Sequence, residues 1–369
     1  MRLRALAVSA VLVPALVTLS ACAAGTSNQS NSSDTGTSSS STTGQTDTAT
    51  TSTSAPTTTS SPVPAGPEIP ADTAVAAPVA RDAMPQATGT FGEKPTITVP
   101  KTAAPQSLQR VILSEGDGPQ SKAGDTVVVN YLGQVWGGQE FDNSYDRKAV
   151  FTTQIGVARP QVVAGWNVGL QGVKQGSRVL LSFPAWDGYG AAGSPPKIPG
   201  GASLIFVIDV VGVYATNAAA DLTATPQDIP AGWPTASGKL GEVPTITVPK
   251  SLPDPAQPGV TLVAKGHGAP AQAGDVLVQY VATAWDGSQT QQSWPDPTGK
   301  NPQAGTGPQA FPLSSSSPFA ALVGVPIGSR VLMRTPANST NGVPSVAWVI
   351  DLITQLDVAP ASATTSSAG

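Results

Sequence analysis

The chain repeats itself, and that duplication limits what it can fold into more than any other feature. The segment Gly92-Glu93-Lys94-Pro95-Thr96-Ile97-Thr98-Val99-Pro100-Lys101 returns about 150 residues later as Gly241-Glu242-Val243-Pro244-Thr245-Ile246-Thr247-Val248-Pro249-Lys250. Ala123-Gly124-Asp125 returns as Ala273-Gly274-Asp275, Tyr131 as Tyr280 and Trp136 as Trp285. Gly176-Ser177-Arg178-Val179-Leu180 returns as Gly328-Ser329-Arg330-Val331-Leu332, and the run 203–211 as 345–353. Matches in this order define a duplicated domain, with a period too long for a solenoid. The first unit covers residues 91–215 and the second 239–357, with a linker at 216–238 rich in Ala, Thr and Pro.

Each unit reads mostly as strands. Residues 126–131, 179–183 and 204–211 are rich in β-branched and aromatic side chains and are bounded by Gly, Pro and Asp. The first unit offers one good helix candidate, residues 164–170, with Gly172 just beyond its end. The 38 glycines and 36 prolines of the 369 residues favour turns and linkers over long helices. The expected class is α+β, each unit a curved antiparallel sheet wrapped around a short α-helix.

The N-terminus reads as a targeting segment. Arg2 and Arg4 precede an apolar run at 6–19, too short for a comfortable membrane span. It ends in Leu19-Ser20-Ala21-Cys22, which resembles the lipobox of bacterial lipoproteins. That gives a lipoprotein signal peptide at 1–21 and lipidation at Cys22. The alternative is an ordinary signal cleaved after Ala21, with Cys22 incidental. Lipidation implies a membrane anchor on the extracytoplasmic face of the cell membrane. Cys22 is the single cysteine, so the expected mature chain folds without an internal disulfide. Residues 22–90 are Ser-, Thr-, Pro- and Ala-rich and read as a disordered tether, and 358–369 as a disordered tail.

Charged residues make up 11% of the chain and the net charge is -4, which argues against nucleic acid as a partner. His267, the one histidine, reads as a turn residue in Gly-His-Gly. Histidine triads and histidine metal clusters therefore have no support, and no cofactor is expected.

Between Tyr131 and Phe206 the aromatics are widely spaced, each in its own strand or turn. Any one of them alone would be read as core packing. As an ordered set, residues 101–214 resemble the FKBP-type peptidyl-prolyl cis-trans isomerases. In that family an antiparallel sheet wraps a short helix, and a proline ring sits between them. The resemblance places the strand tyrosine at Tyr131, the Phe-Asp motif at Phe141-Asp142 and the following arginine at Arg147. It places the next pocket phenylalanine at Phe151, the hydrophobic pair before the helix at Val162-Val163 and the floor indole at Trp166. The flap tyrosine is Tyr189, the loop isoleucine Ile198 and the closing aromatic Phe206. Two features depart from the family. Ser194 stands where a histidine is common, and the loop before Tyr189 is one residue longer.

The resemblance implies isomerisation of X-Pro bonds in proline-containing polypeptides outside the cytoplasm, and a pocket able to take FK506- or rapamycin-type ligands. The alternative is a non-catalytic proline-peptide-binding chaperone or scaffold lipoprotein. The second unit reads as degenerate. Thr290-Gln291 stand in place of Phe141-Asp142, Pro318 or Phe319 in place of Trp166, and the flap has no counterpart. Phe311 and Trp348 are expected in the places of Phe151 and Phe206.

Overall fold

The computed structural model describes residues 83–296, 298, 305–338 and 342–356. The expected signal peptide at 1–21, Cys22, the tether as far as residue 82 and the tail 358–369 lie outside the described residues.

Strands β1 (Gln86–Thr88) and β2 (Thr96–Thr98) pair as a short antiparallel hairpin. The first main sheet is built from β3 (Gln109–Ser114), β4 (Thr126–Val135), β5 (Glu140–Asn143), β6 (Phe151–Gln154), β7 (Arg178–Phe183) and β8 (Leu204–Tyr214). Helix α1 (Ala164–Gly169) lies in the chain between β6 and β7. The order is β3-β7-β8-β4-β5, antiparallel throughout, and β6 also pairs with β4. The β-branched runs form the expected strands, and two of them extend further along the chain, to Val135 and Tyr214.

All six residues of β7 are buried, because both faces of the sheet are covered. On one face, Val179, Leu181 and Phe183 pack with Trp166, Leu170 and Phe206 beneath α1. On the other, Leu180, Ile205 and Val207 pack with Met84, and the hairpin adds Ala87 and Ile97. The described end of the segment read as a disordered tether, residues 83–90, is packed. Met84 is an apolar anchor, and Gln86–Thr88 is a strand. Helix α1 lies close on the sheet because Gly165 faces Phe183. A Cβ there would stand 2.5 Å from the ring.

The second half continues with β9 (Thr225–Pro226), β10 (Thr235–Ser237), β11 (Thr245–Thr247), β12 (Gly259–Lys265), β13 (Asp275–Ala284), β14 (Thr290–Gln292), β15 (Gln309–Pro312), β16 (Arg330–Thr335) and β17 (Val346–Gln355). Its sheet runs β14-β13-β17-β16-β12-β9, with β15 on β13, and β10 and β11 form a hairpin like that of β1 and β2. This is the strand order of the first sheet with β9 added at one edge.

The 216–238 segment, expected as the linker, is packed in part. Ala220 and Ala224 are buried, β9 pairs with β12, and the Ala220 N–H donates to Asp351. The second half also has no α-helix at the position of α1. Pro318–Leu322 is a 3-10 segment, opened by Ser317, whose hydroxyl accepts the Phe319 N–H, and followed closely by Gly324. The halves touch through Val128, which packs with Leu277 and Leu356, and through Gln154, which donates to the Thr306 carbonyl.

One buried ion pair recurs in both halves. Arg178 donates from Nε to Asp209 at 2.6 Å and from Nη2 at 2.8 Å, and its remaining N–H groups reach the carbonyls of Gly89 and Glu93 in the first hairpin. Arg330 holds Asp351 in the same way and reaches Lys239 and Glu242 in the second hairpin. Removing one partner strands a buried charge. Arg178→Leu is expected to cost about 3–5 kcal/mol in urea denaturation, and an unchanged midpoint would show that the pair is not needed.

Candidate active site

Strand β4 carries the centre of the site. The strand alongside its outer edge is interrupted. β6 pairs with Thr126–Val129, β5 pairs with Leu132–Gln134, and residues 144–150 loop out between them. Tyr131 sits opposite the break. Its backbone is satisfied by Ser144, whose hydroxyl accepts the Tyr131 N–H at 2.9 Å and whose N–H donates back to the Tyr131 carbonyl. The loop returns over the sheet and brings Arg147 back to Tyr131.

The aromatic side chains form a cage. The Tyr131 ring lies 5.1 Å from Trp166 and 5.9 Å from Phe151, both edge-on. Trp166 lies 5.1 Å from Phe206 and 6.0 Å from Phe151, and Phe141 meets Phe206 edge-on at 5.5 Å. These are favourable quadrupole geometries, each contributing about 0.5–1.5 kcal/mol beyond area burial. Behind the cage, Phe183 stacks on Phe206. Val163 is the extended residue that opens α1, and its carbonyl accepts the N–H groups of Trp166 and Asn167. Val162, half-buried, packs against the same cluster.

One wall is polar. The Tyr131 hydroxyl donates to Asp142 and accepts from Arg147 Nη2 at 2.8 Å, while Arg147 also pairs with Asp142. The Arg147 guanidinium lies 5.5 Å from the Tyr131 ring centre. Burial, and then the Asp142 carboxylate, push the Tyr131 hydroxyl well above the ordinary phenol range, so it stays protonated.

The flap closes the side. Ile198 is buried and exchanges backbone hydrogen bonds with Ser194 at 2.8 and 3.0 Å. Lys197 Nζ donates to the Phe141 carbonyl at 2.9 Å, joining flap to β5. Tyr189 is 42% exposed at the mouth, and burial of its ring together with the Asp142 charge raises its pKa. Trp186, on the 3-10 turn Ala185–Asp187, is 54% exposed beside it. The Trp166 indole N–H is buried without a partner among the described residues.

All ten residues singled out from the sequence belong to this one region: Tyr131, Phe141, Asp142, Phe151, Val162, Val163, Trp166, Tyr189, Ile198 and Phe206. Nine of them lie in the cage, its apolar lining or its polar wall, and Tyr189 stands at the mouth. The sequence reading missed Gly133, although its alternation on β4 was visible. A Cβ there would stand 2.6 Å from Phe141 and 2.7 Å from Phe206, so a bare backbone lets both rings close. It also missed Lys197 and Phe183.

Among the described residues the second half shows no counterpart of the polar wall. Gln291 stands opposite Ala282 where Asp142 stands opposite Gly133. Trp348 does hold the place of Phe206 on its strand. Phe311 does not hold the ladder place of Phe151. It pairs with Val276, two residues along on the same face, and its ring still reaches Tyr280 at 5.3 Å. Phe319 then stacks on Phe311 at 4.1 Å and meets Trp348 at 5.3 Å, so the second half gathers rings of its own in a partly stacked arrangement.

A family profile described as FKBP-type peptidyl-prolyl cis-trans isomerase matches residues 118–211. "FK506-binding protein 1" of Debaryomyces hansenii is 41% identical over 112 residues, which are 30% of this chain and 98% of that protein. "FK506-binding protein" of Streptomyces anulatus is 42% identical over 123 residues, 33% of this chain and 98% of that protein. "FK506-binding protein" of Neisseria meningitidis serogroup A is 39% identical over 102 residues, 28% of this chain and 92% of that protein.

The Gly133 contact is testable. Gly133→Ala forces Phe141 or Phe206 off its rotamer and is expected to cost about 1–3 kcal/mol, with a changed near-UV aromatic spectrum. A variant that matches the wild type in both would place the rings elsewhere.

Proposed function

The chain belongs to the FKBP-type peptidyl-prolyl cis-trans isomerases, and on that premise we propose that its first half turns over X-Pro bonds of exported or cell-envelope polypeptides in the cage around Trp166. The observation that carries this reading is the Tyr131–Asp142–Arg147 network set directly against the rings of Phe151, Trp166 and Phe206 around Tyr131.

An X-Pro bond is held planar by resonance, with a rotation barrier of about 18–20 kcal/mol. Uncatalysed exchange takes tens to hundreds of seconds. Rotation needs no nucleophile, no general base and no metal. What lowers its barrier is a water-poor cavity that disfavours the charge-separated planar amide and fits the twisted one. In this reading Trp166, Phe206, Tyr131 and Phe151 hold the proline ring, while Phe141 and Ile198 close the sides. The Val163 N–H and the Tyr189 hydroxyl donate to backbone carbonyls flanking the proline. Asp142 is fixed as a polar wall by Tyr131 and Arg147.

The outward location rests on the lipobox-like Leu19-Ser20-Ala21-Cys22. A lipid on Cys22 would hold the chain at the outer face of the cell membrane, with the intervening residues as tether. The shared strand order supports reading residues 239–357 as a second domain of the same ancestry. Phe319 packed on Phe311, and Gln291 in place of Asp142, support reading it as non-catalytic. A second reading, proline-peptide capture without turnover, is favoured by the longer loop before Tyr189 and by Ser194 at the flap tip, paired with Ile198.

Exchange NMR on a proline-containing tetrapeptide separates the two. The full chain is expected to accelerate isomerisation. Asp142→Val and Tyr189→Ala are each expected to lower kcat/KM about tenfold, or roughly 1.4 kcal/mol of transition-state binding. Trp348→Leu in the second half is expected to leave the rate within about twofold, the scale of a change far from the chemistry. Binding of FK506 without turnover would select the capture reading. Loss of neither rate in the two pocket variants would overturn the site assignment.

The pH profile gives an independent check. No step transfers a proton, and the Tyr131 and Tyr189 hydroxyls are both shifted upward. So kcat/KM is expected to stay flat between roughly pH 6 and pH 9, unlike the bell expected of acid–base catalysis.

A further inference from the structure

Residues 143–147, which deliver Arg147 to the pocket wall, are fastened from the side opposite the pocket. Tyr145 points into the sheet and its hydroxyl donates to Asp209 at 3.0 Å. The same carboxylate holds Arg178 and accepts the N–H of Gly92 at 2.7 Å, while Arg178 holds the Gly89 and Glu93 carbonyls. The next residue along the hairpin, Lys94, donates to Asp146 at 2.7 Å and to Glu140 at 3.2 Å. Asn143 ties both acidic groups together. Its amide donates to Asp146 at 2.8 Å and to Glu140, and its own oxygen accepts the Asp146 N–H. Residue 147 follows directly, with its guanidinium on Asp142 and Tyr131.

The second half of the chain is an internal control. It keeps the buried pair, Arg330 and Asp351, and the hairpin carbonyls that the arginine holds. At the positions of Tyr145, Asp146 and Arg147 it has Trp294, Pro295 and Asp296, and at those of Lys94 and Glu140 it has Val243 and Gln289. Trp294 is buried, so the position remains filled, but without a hydroxyl for the carboxylate. Asp351 accepts the Ala220 N–H instead. The fold-stabilising pair thus survives in both halves. Among the described residues, the connection from hairpin to loop is seen in the first half alone, where Phe141, Asp142 and Trp166 are present.

Resting on the isomerase reading, we infer that the β1–β2 hairpin, acting through Lys94 and Tyr145, is a positioning strap for the site, holding residues 143–147 so that Arg147 keeps Asp142 and Tyr131 in place. Neither Lys94 nor Tyr145 touches the substrate space. Their effect passes through Arg147. Displacements of about 1 Å at such supporting groups are large on the scale that orientation effects require.

The test uses the full chain with Tyr145→Phe, Lys94→Met and Arg147→Ala, alone and in pairs. Tyr145→Phe keeps the ring and its packing and removes only the hydroxyl. Each variant is first matched to wild type by circular dichroism and melting temperature. The expected result is a fall in kcat/KM of about three- to tenfold for Tyr145→Phe, a smaller fall for the exposed Lys94→Met, and a fall for Arg147→Ala. In the Arg147→Ala background, Tyr145→Phe is expected to add nothing, because the strap then has nothing to position. The Arg147 Nε–Hε resonance is expected to broaden or shift in Tyr145→Phe. The inference is overturned if folded Tyr145→Phe retains wild-type kcat/KM, or if its loss is the same with and without Arg147. A wild-type chain without turnover would sink the isomerase reading instead. The Arg147 resonance would then decide the strap by itself, an unmoved resonance overturning it.

Discussion

The structure of each half depends on one arginine buried against one aspartate. Arg178 is 2% exposed and Asp209 fully buried, and Arg330 and Asp351 repeat the arrangement at 1% each. Burying two charges costs several kcal/mol per ion, and their attraction alone roughly offsets that cost. Hydrogen bonding to the rest of the chain makes the arrangement hold. The guanidinium spends its spare N–H groups on hairpin carbonyls, and Asp209 spends its spare lone pairs on Gly92 and Tyr145. A short hairpin with three-residue strands cannot be stable by itself in water. The ion pair fixes where it sits, and its apolar residues then cover the outer face of β7 and β8. Those strands can consequently be hydrophobic on both faces, and one of the two faces becomes the wall of a cage.

The cage follows from that wall. β7 and β8 present Phe183 and Phe206 inward, and α1 lies close above them because Gly165 and Gly169 have no side chain to hold it off. Gly169 faces Leu181, where a Cβ would stand 2.9 Å away. Trp166 is therefore pressed into the curve of the sheet, within edge-to-face reach of three other rings. The rigidity comes from packing. The polarity comes from the break in the strand opposite β4, since a continuous strand there would have left no loop to carry Arg147. Ser144 makes the break affordable by taking over the Tyr131 backbone bonds. The second half repeats that device through Ser293 on Tyr280. The break therefore belongs to the fold, and the charges placed on it belong to the site.

Much of this was legible in the sequence, and the reason is physical. The repeat exposed the strand order twice, and β-branched runs between Gly and Pro mark strands whatever their tertiary neighbours. The pocket set was legible because its spacing is fixed by the elements that carry it. The misses share one cause, which is contact across long sequence separations. Met84 looks like the end of a polar segment until Leu180 and Ile205 are seen beneath it. Ala220 and Ala224 look like linker until β12 pairs with β9. Phe311 falls two ladder positions from Phe151 because the loop before it differs in length, and sequence order alone does not reveal register. The ion pair did leave a signal. An Arg and an Asp recur within apolar strands in both copies, which is a costly choice unless the two meet.

Setting the two halves side by side separates the contacts that both sheets keep from those found in the first half alone. The hydrogen-bonded arginine, aspartate, serine and tyrosine backbone contacts persist in both halves. The same strand order therefore forms without counterparts of Phe141, Asp142 and Trp166. In the second half Phe319 stacks on Phe311, Trp348 stands at the ladder place of Phe206, and its indole N–H donates to Thr335. A pocket left open and dry by losing Trp166 would have carried the cost of a cavity, about 24 cal/mol per Å³ of void. Phe319 stacked on Phe311 avoids that cost. The first half leaves the Trp166 N–H buried without a partner among the described residues. A buried donor left unpaired costs about 1–3 kcal/mol. Trp166 carries that cost at the centre of the first ring cluster, and the second half, with Phe319 stacked on Phe311, has no indole there to carry it.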